Sequence, residues 1–276
     1  MPTPDETKQR VAALFDRIAP TYDAVDAEFF TPFGLHLVDH ARLQSGWSVL
    51  DIGTGRGAVL RPASRAVGPD GLVHGLDLSP KMVEATSRDV QLEGLTNVLV
   101  EVGDAENPPV LEGGWDAITA GLVVFFLPDA PGALTTWRKI LRPGGVFALS
   151  TFASDDPRWN PVFEFMRRYV PPEVPVAQIP PPGWHRGDDS VAATVSAAGF
   201  TGITSTTNVF TTRFRDADHW IDFSYSNGMR AYWESVTDPD EARDLRAGVI
   251  DAVESLREND GQLTMNTGVR FTTAHA

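Results

Sequence analysis

The sequence predicts an open, doubly wound α/β sheet beneath a helical, aromatic-rich cap. Three observations carry this. From residue 48 onward, short apolar runs alternate with segments of helical period. The first run, Val49–Ile52, flows into a turn with glycine at every second position, Gly53-Thr54-Gly55-Arg56-Gly57. Two later stretches, 153–190 and 215–260, break the rhythm and concentrate aromatic side chains.

Residues 5–45 read as helices. Val11, Leu14, Phe15 and Ile18 recur at helical spacing, Pro20 stops that helix, and Phe29, Phe30 and Phe33 cluster around Pro32. Ser48–Ile52 is a short buried strand. A helix of about ten residues then runs to Gly68, with Pro62 placed to kink or shorten it. Leu72–Leu78 is the second strand, and Ser79-Pro80 opens a helix to Glu93 as N-cap and N1. Asn97–Val102 and Trp115–Ala120 are strands. A helix spans 130–141, and Arg142-Pro143-Gly144-Gly145 turns into a fifth strand, Val146–Phe152. Segment 153–190 holds eight of the 21 prolines with Trp159, Phe163, Phe165, Tyr169 and Trp184, the makings of an irregular cap. The pattern resumes with a helix over 191–198 and a long strand, Ile203–Phe214. Segment 215–260 is helical, and Leu263–Thr273 alternates as a final strand. The predicted plan is a helical cap segment at 1–46, a sheet core at 47–152, a cap insertion at 153–190, core again at 191–214, a helical cap insertion at 215–260 and the last core strand at 261–276.

The 276 residues are 42% hydrophobic, enough for a sizeable core. A net charge of −14 repels phosphate backbones and argues against nucleic acid as partner. The chain has no cysteine, which excludes disulfides, thiolate metal sites and cysteine nucleophiles and fits a reducing cytoplasm. The polar N-terminus does not read as a signal peptide. No apolar run approaches the roughly 18 residues of a membrane span. A small-molecule partner is what remains.

Several glycine-rich turns hold nucleotides, and the residues around this one separate them. A P-loop ends in Gly-Lys-Ser/Thr, absent here. A dinucleotide turn reads G-x-G-x-x-G and leaves its helix N-terminus free for a pyrophosphate. This turn is one residue shorter, and Asp51 precedes its first glycine by two. A carboxylate there repels a phosphate and suits a cation or an amine. Asp77 ends the second strand, where an acid takes ribose hydroxyls. Asp104 closes the third. Three consecutive strands thus end in an acid at one edge.

The arrangement resembles the class I S-adenosylmethionine-dependent methyltransferases. The shared features are Val49-Leu50-Asp51-Ile52-Gly53-Thr54-Gly55-Arg56-Gly57, Gly75-Leu76-Asp77-Leu78-Ser79-Pro80 with Met82, Gly103-Asp104-Ala105-Glu106, and Leu141-Arg142-Pro143-Gly144-Gly145. Residues 14–23 look like the entry segment of the ubiquinone/menaquinone C-methyltransferase-like group. The resemblance implies a Rossmann-like sheet of about seven strands, its last hairpin antiparallel, and S-adenosyl-L-methionine as cofactor. It places Gly53, Thr54, Gly55 and Gly57 against the cofactor and Asp51 near its methionine portion. Asp77 lies on the ribose with Leu78 and Met82 close by, Gly103, Asp104 and Ala105 border the adenine, and Gly121 and Leu122 lie on the methionine side. Tyr22 covers the cofactor from above. Position 56, often Cys or Ser in the family, is Arg.

Other signals carry both a functional and a plain reading. Asn107-Pro108-Pro109-Val110 is similar to the signature of amino-methylating enzymes, but it precedes the fourth strand and lacks the final aromatic, so it reads as a loop. His36 and His40 have i, i+4 metal spacing without a third ligand, and no metal is expected. The cap aromatics are mostly core, with Phe29, Trp184, Tyr225 and Trp233 as candidate substrate walls. His185 is the first candidate base, then His36, His219 and Tyr22, although methyl transfer can proceed by alignment alone. The function expected is methyl transfer to a small, largely apolar metabolite at C, O or N. The alternatives are a cyclase or pericyclic catalyst that keeps the cofactor unspent, and, more remotely, an NAD(P) oxidoreductase.

Overall fold

A computed structural model describes residues 3–169 and 183–276. Five strands, β1 (Ser48–Ile52), β2 (Leu72–Asp77), β3 (Val98–Val102), β4 (Trp115–Gly121) and β5 (Leu141–Ser154), pair in parallel. Two long strands, β6 (Thr201–Phe214) and β7 (Leu263–His275), complete one seven-stranded sheet in the order β3-β2-β1-β4-β5-β7-β6. β7 runs antiparallel to both its neighbours. The chain winds outward from β1 to β3 and then returns to lay β4 on the other side of β1. That reversal opens a crevice at the C-terminal end of β1, where ligands bind in such sheets. The glycine turn lies there.

Period-two alternation buries both faces of the sheet. Val49, Val73, Ala117, Val146 and Ala148 pack into one core with α2 (Phe30–Ala41) and α3 (Leu60–Val67). Leu50, Ile52, Ile118, Ala120, Phe147 and Leu149 pack into the other with α5 (Ala130–Ile140) and α7 (Asp188–Ala197). α4 (Pro80–Leu92) covers β2 and β3, and Ser79 caps it by accepting from the Met82 amide at 3.1 Å. α1 (Pro4–Ile18) starts at a capping box made by Thr3 and Glu6 and rests on α4. Beyond β5 come α6 (Asn160–Arg167), α8 (Ala217–Tyr225), α9 (Arg230–Ser235) and α10 (Pro239–Glu254), with α10 packed on α6 and α8.

Four expectations are modified. α3 begins at Leu60 and has eight residues rather than about ten, so Pro62 sits in its first turn, where a missing N–H is harmless. β5 begins five residues early, at Leu141. A bulge between the pairs Trp115–Leu141 and Ala117–Val146 takes up the Pro143-Gly144-Gly145 turn. α2 was expected in the cap with the rest of 1–46, but it lies on the sheet against β4, β5 and β7, because its apolar face carries Phe33, Leu37, Val38 and Ala41. The insertion expected at 153–190 falls in part on 170–182, outside the described residues.

α2 approaches the glycine turn so closely that only glycine fits at position 34. A Cβ there would lie 2.0 Å from the Ala58 carbonyl oxygen, a backbone atom that cannot swing aside. Gly34→Ala is therefore expected to destabilise the protein by about 2–3 kcal/mol, as overpacking of a rigid core does. Urea denaturation monitored by tryptophan fluorescence measures it.

Candidate active site

β1 delivers Asp51 into the crevice, and the glycines carry the chain away from it. Gly53, Gly55 and Gly57 all adopt positive φ (66°, 51° and 79°), which side chains resist. A Cβ on Gly53 would strike Val123 at 2.4 Å, whereas one on Gly55 would meet only the Tyr22 ring at 3.9 Å. The space above Gly55 is thus open, with an aromatic lid across it. The Gly55 amide donates to Asp77 Oδ2 at 2.8 Å, and its carbonyl accepts from Thr86 Oγ1 at 2.6 Å, which fixes the turn. Arg56 ties the turn outward, to Asp89 at 2.6 Å and to the Ala19 carbonyl at 2.8 Å.

The three strand-end acids differ in environment. Asp51 is buried; Thr119 Oγ1 donates to one oxygen and Thr54 Oγ1 to the other, both at 2.7 Å. Burial pushes its pKa up to about 6 against those two hydrogen bonds, and no cation among the described residues pairs with it. Asp77 accepts the Ser79 amide at 2.9 Å and the Gly55 amide at 2.8 Å, and burial raises it as well. At Asp104, burial disfavours the charge, but hydrogen bonds from Lys8, the Glu106 amide and Asn107 outweigh it and hold the carboxyl below its usual range. Lys8 also pairs with Glu106, so α1 is pinned over the end of β3.

Two cavities meet at this edge. The first, about 210 Å³, is lined by Asp51, Gly53, Thr54, Gly55 and Gly121, with Asp23 and Arg56 at its wall. The second, about 230 Å³, is mostly aromatic and thioether, including Phe15, Phe125, Phe152, Trp159, Met166 and Phe223. Tyr22, Phe30 and Leu122 line both. Tyr22 stacks on Phe30 with centroids 4.8 Å apart. Leu122 has φ 51°, a strained conformation for a branched side chain, held by the Ser150 carbonyl and hydroxyl, both 3.2 Å from its amide. A polar chamber with an uncompensated carboxylate thus abuts an apolar chamber across one shared wall.

Residues 49–145 match the family described as a methyltransferase domain. The chain is 35% identical over 213 residues to aklanonic acid methyltransferase DauC of Streptomyces sp. (strain C5), covering 73% of this chain and 96% of the relative. It is 32% identical over 252 residues to nocamycin O-methyltransferase of Saccharothrix syringae, covering 86% and 88%. The chain belongs to the S-adenosylmethionine-dependent methyltransferases. Among solved structures, the YcgJ protein of Bacillus subtilis shares the fold, with a TM-score of 0.58 at 20% identity over 88% of this chain and 97% of that one.

In this methyltransferase the first cavity gathers Asp51, Gly53, Thr54, Gly55, Gly121, Leu122 and Tyr22 of the residues expected on the cofactor. Gly57, Asp77, Leu78, Gly103, Asp104 and Ala105 do not line it. Met82 is buried in a small core with Leu14 and Ile18. Of the expected substrate walls only Phe29 lines the second cavity. Trp184 packs at the edge of the sheet core. Trp233 is buried with Nε1 on Ser224 Oγ at 2.8 Å, and Tyr225 stacks on its ring at 5.1 Å, so both serve α8 and α9.

Of the candidate bases, Tyr22 lines both cavities and the three histidines lie elsewhere. His185 is buried against Phe125, His36 packs on Phe210 and Phe271, and His219 Nδ1 accepts the Arg215 amide at 3.1 Å. None of the three lines either cavity. Burial, with Arg215 beside it, lowers the pKa of His219. Burial, aided by the charges of Asp23 and Asp77, holds the Tyr22 phenol far above its usual range, so it stays protonated. Asn107 and Pro109 shape a loop, the Pro109 carbonyl accepting Trp115 Nε1 at 3.0 Å. Among the described residues no cluster fits a metal ion. The sequence missed Asp23, Phe125, Phe126 and Arg167; aromatic spacing after β4 was the one available hint.

The raised Asp51 fixes the sign of a pH effect. Its folded pKa of about 6 exceeds the ordinary carboxylate value of 3.8, so the folded chain binds the extra proton between them. Its contribution is fully present below about 3.8 and is lost as pH rises through about 6. Asp51→Asn should therefore gain stability relative to the native protein, by roughly 1–3 kcal/mol between pH 4.5 and pH 8. Urea titrations at the two pH values test this.

Proposed function

We propose that this methyltransferase moves a methyl group from S-adenosyl-L-methionine, held in the first cavity, to a small, largely apolar acceptor held in the second. The observation that carries the reading is the pair of chambers with a common wall of Tyr22, Phe30 and Leu122. When bound, the cofactor supplies a methyl group on a positively charged sulfur. A buried carboxylate without a counter-ion fits a ligand of that charge, and Asp51 is the residue placed to hold its cationic methionine end. The backbone at Gly53 and Gly55 leaves room for close approach. Asp77 takes the ribose hydroxyls, with Leu78 and Met82 supporting that edge. Gly103, Asp104 and Ala105 border the adenine.

The acceptor end works by shape. Aromatic faces exclude water and favour a passing cation. Asp155 and Asp156 line this chamber, but Arg186 Nη2 donates to the first at 2.6 Å and Arg158 Nη2 to the second at 2.7 Å. No histidine lines it among the described residues. The chain's part is therefore to align an acceptor that is already nucleophilic. The names aklanonic acid and nocamycin, carried by two relatives, support a secondary metabolite as that acceptor. The charge of −14 supports a small molecule over nucleic acid, and the lack of cysteine supports a cytoplasmic setting. No helix among the described residues is long and apolar enough to cross a membrane.

The test is isotopic. With methyl-labelled cofactor and a panel of polycyclic aromatic acceptors, the label should appear in product; product formed without label would instead show a cyclase using the fold. Binding of S-adenosylhomocysteine should tighten as pH rises through about 6, as Asp51 ionises, and level off above it. Asp51→Asn should abolish that pH step and weaken binding at pH 8 by at least about tenfold, the worth of one charge-assisted contact. Calorimetry at pH 5 and pH 8 reads both.

A further inference from the structure

The aromatic chamber carries an unspent positive charge. Four ionised side chains line it: Asp155, Asp156, Arg167 and Arg186. Asp156 is buried and neutralised by Arg158, which reaches it through Nε and Nη2. Asp155 is matched by Arg186. Arg167, the last residue of α6, is exposed, and its side chain has no ion-pair or hydrogen-bond partner among the described residues. Arg186 gives Nη2 to Asp155, but its Nη1 is buried without a partner. Two guanidiniums therefore keep donors without a protein partner among the described residues, one exposed and one buried, at a chamber that is mostly aromatic and thioether, in a chain whose net charge is −14.

The position of Arg186 is built in. Buried Arg270 of β7 donates to the His185 carbonyl at 3.2 Å and the Arg186 carbonyl at 3.0 Å, while pairing with Asp188. The short turn Trp184–Arg186 is thereby fastened to the sheet, and the chamber's rim with it. The plain reading of Arg167 is a cation at a helix C-terminus, favoured by the helix dipole. That reading does not account for a second guanidinium on the same chamber with a buried donor left over. Buried donors without partners are rare enough to call for an explanation.

We infer that the acceptor of this enzyme is an aromatic anion and that Arg167 holds its anionic oxygen group, with Arg186 adding positive field. Neither arginine lines the first cavity, so the group held is an anchor, separate from the atom presented at the Tyr22–Phe30–Leu122 wall. The inference rests on the second chamber being the acceptor site. It adds a charge requirement to what was otherwise selection by shape.

Two fluorescent probes with one aromatic skeleton test it: 8-anilino-1-naphthalenesulfonate, and N-phenyl-1-naphthylamine, which lacks the sulfonate. Both are titrated into the full-length protein with and without saturating S-adenosylhomocysteine. The sulfonate should bind about tenfold tighter than the neutral probe, the effect of one charge-assisted hydrogen bond. Arg167→Gln should erase that difference while leaving the neutral probe unchanged, and Arg167→Lys should keep part of it. Equal affinity of the two probes for the native protein, failure of the sulfonate to bind, or an unchanged preference in Arg167→Gln would overturn the inference. Failure of S-adenosylhomocysteine to bind would instead remove the cofactor reading, and the probe comparison made without it would still report on Arg167.

Discussion

Asp51 is the constraint around which the site is organised. It sits near the end of β1, buried, with one threonine hydroxyl on each oxygen and no cation paired with it among the described residues. An uncompensated buried carboxylate costs several kcal/mol after relaxation, so a chain evolved for stability alone would replace it. Its neighbours are arranged to keep it. Thr119 on β4 and Thr54 in the glycine turn supply its hydrogen bonds. The positive φ at Gly53 and Gly55 turns the backbone away and leaves the carboxylate facing a cavity. The strain at Leu122 lies on the same cavity. Both features cost stability, and both lie on one cavity rather than in the tight core.

The second organising feature is how the N-terminal segment is attached. α1 buries Leu14 and Ile18 against Met82 of α4, and polar ties add to this: Lys8 to Asp104 and Glu106, and Asp16 to Ser79 Oγ and to the Lys81 amide. Arg56 adds a tie to the Ala19 carbonyl just beyond α1. Partly exposed ion pairs are worth about 0–1 kcal/mol each, far less than the burial that holds α2 on the sheet. α2 lies on the sheet, whereas α1 lies on α4. The arginine at position 56 thus ties this segment to the glycine turn while also lining the first cavity.

This division also explains what was legible in the sequence. Strand and helix positions came through because a two-sided sheet demands continuous apolar strands and amphipathic covers, and β1 matches its expected bounds residue for residue. The acids at the strand ends were legible for the same reason, since strand register fixes where a strand's last residue lies. The second cavity was not. Its walls come from Phe15, Phe125, Trp159, Phe223 and Met265, which are far apart in the chain. Composition cannot separate Trp159, which lines the chamber, from Trp220, packed 5.3 Å away and facing the core. Trp233 and Tyr225 looked equally suited to a wall, yet a local stack used them up. The place of α2 was missed because helical period alone does not say which layer a helix covers.

β7 joins the two halves of the molecule. As the one antiparallel strand it fits between β5 and β6 and closes the sheet, a role that any well-paired strand could fill. Its side chains add more. At one end Met265, Asn266 and Thr267 line the second cavity, and the Asn266 amide donates to Asp156 at 3.0 Å, holding that carboxylate beside Arg158. Further along, Arg270 reaches across Thr151 of β5 to grip the 184–188 turn. A buried arginine is costly unless its donors are satisfied, and here two carbonyls, a hydroxyl and a carboxylate satisfy them. The 184–188 turn is therefore positioned from the sheet outward: β7 sets the charged rim of the second cavity, while β1 sets the charged floor of the first. The distance between those charges is fixed by the sheet, the least deformable part of the fold, and selection by the cap can change without disturbing it.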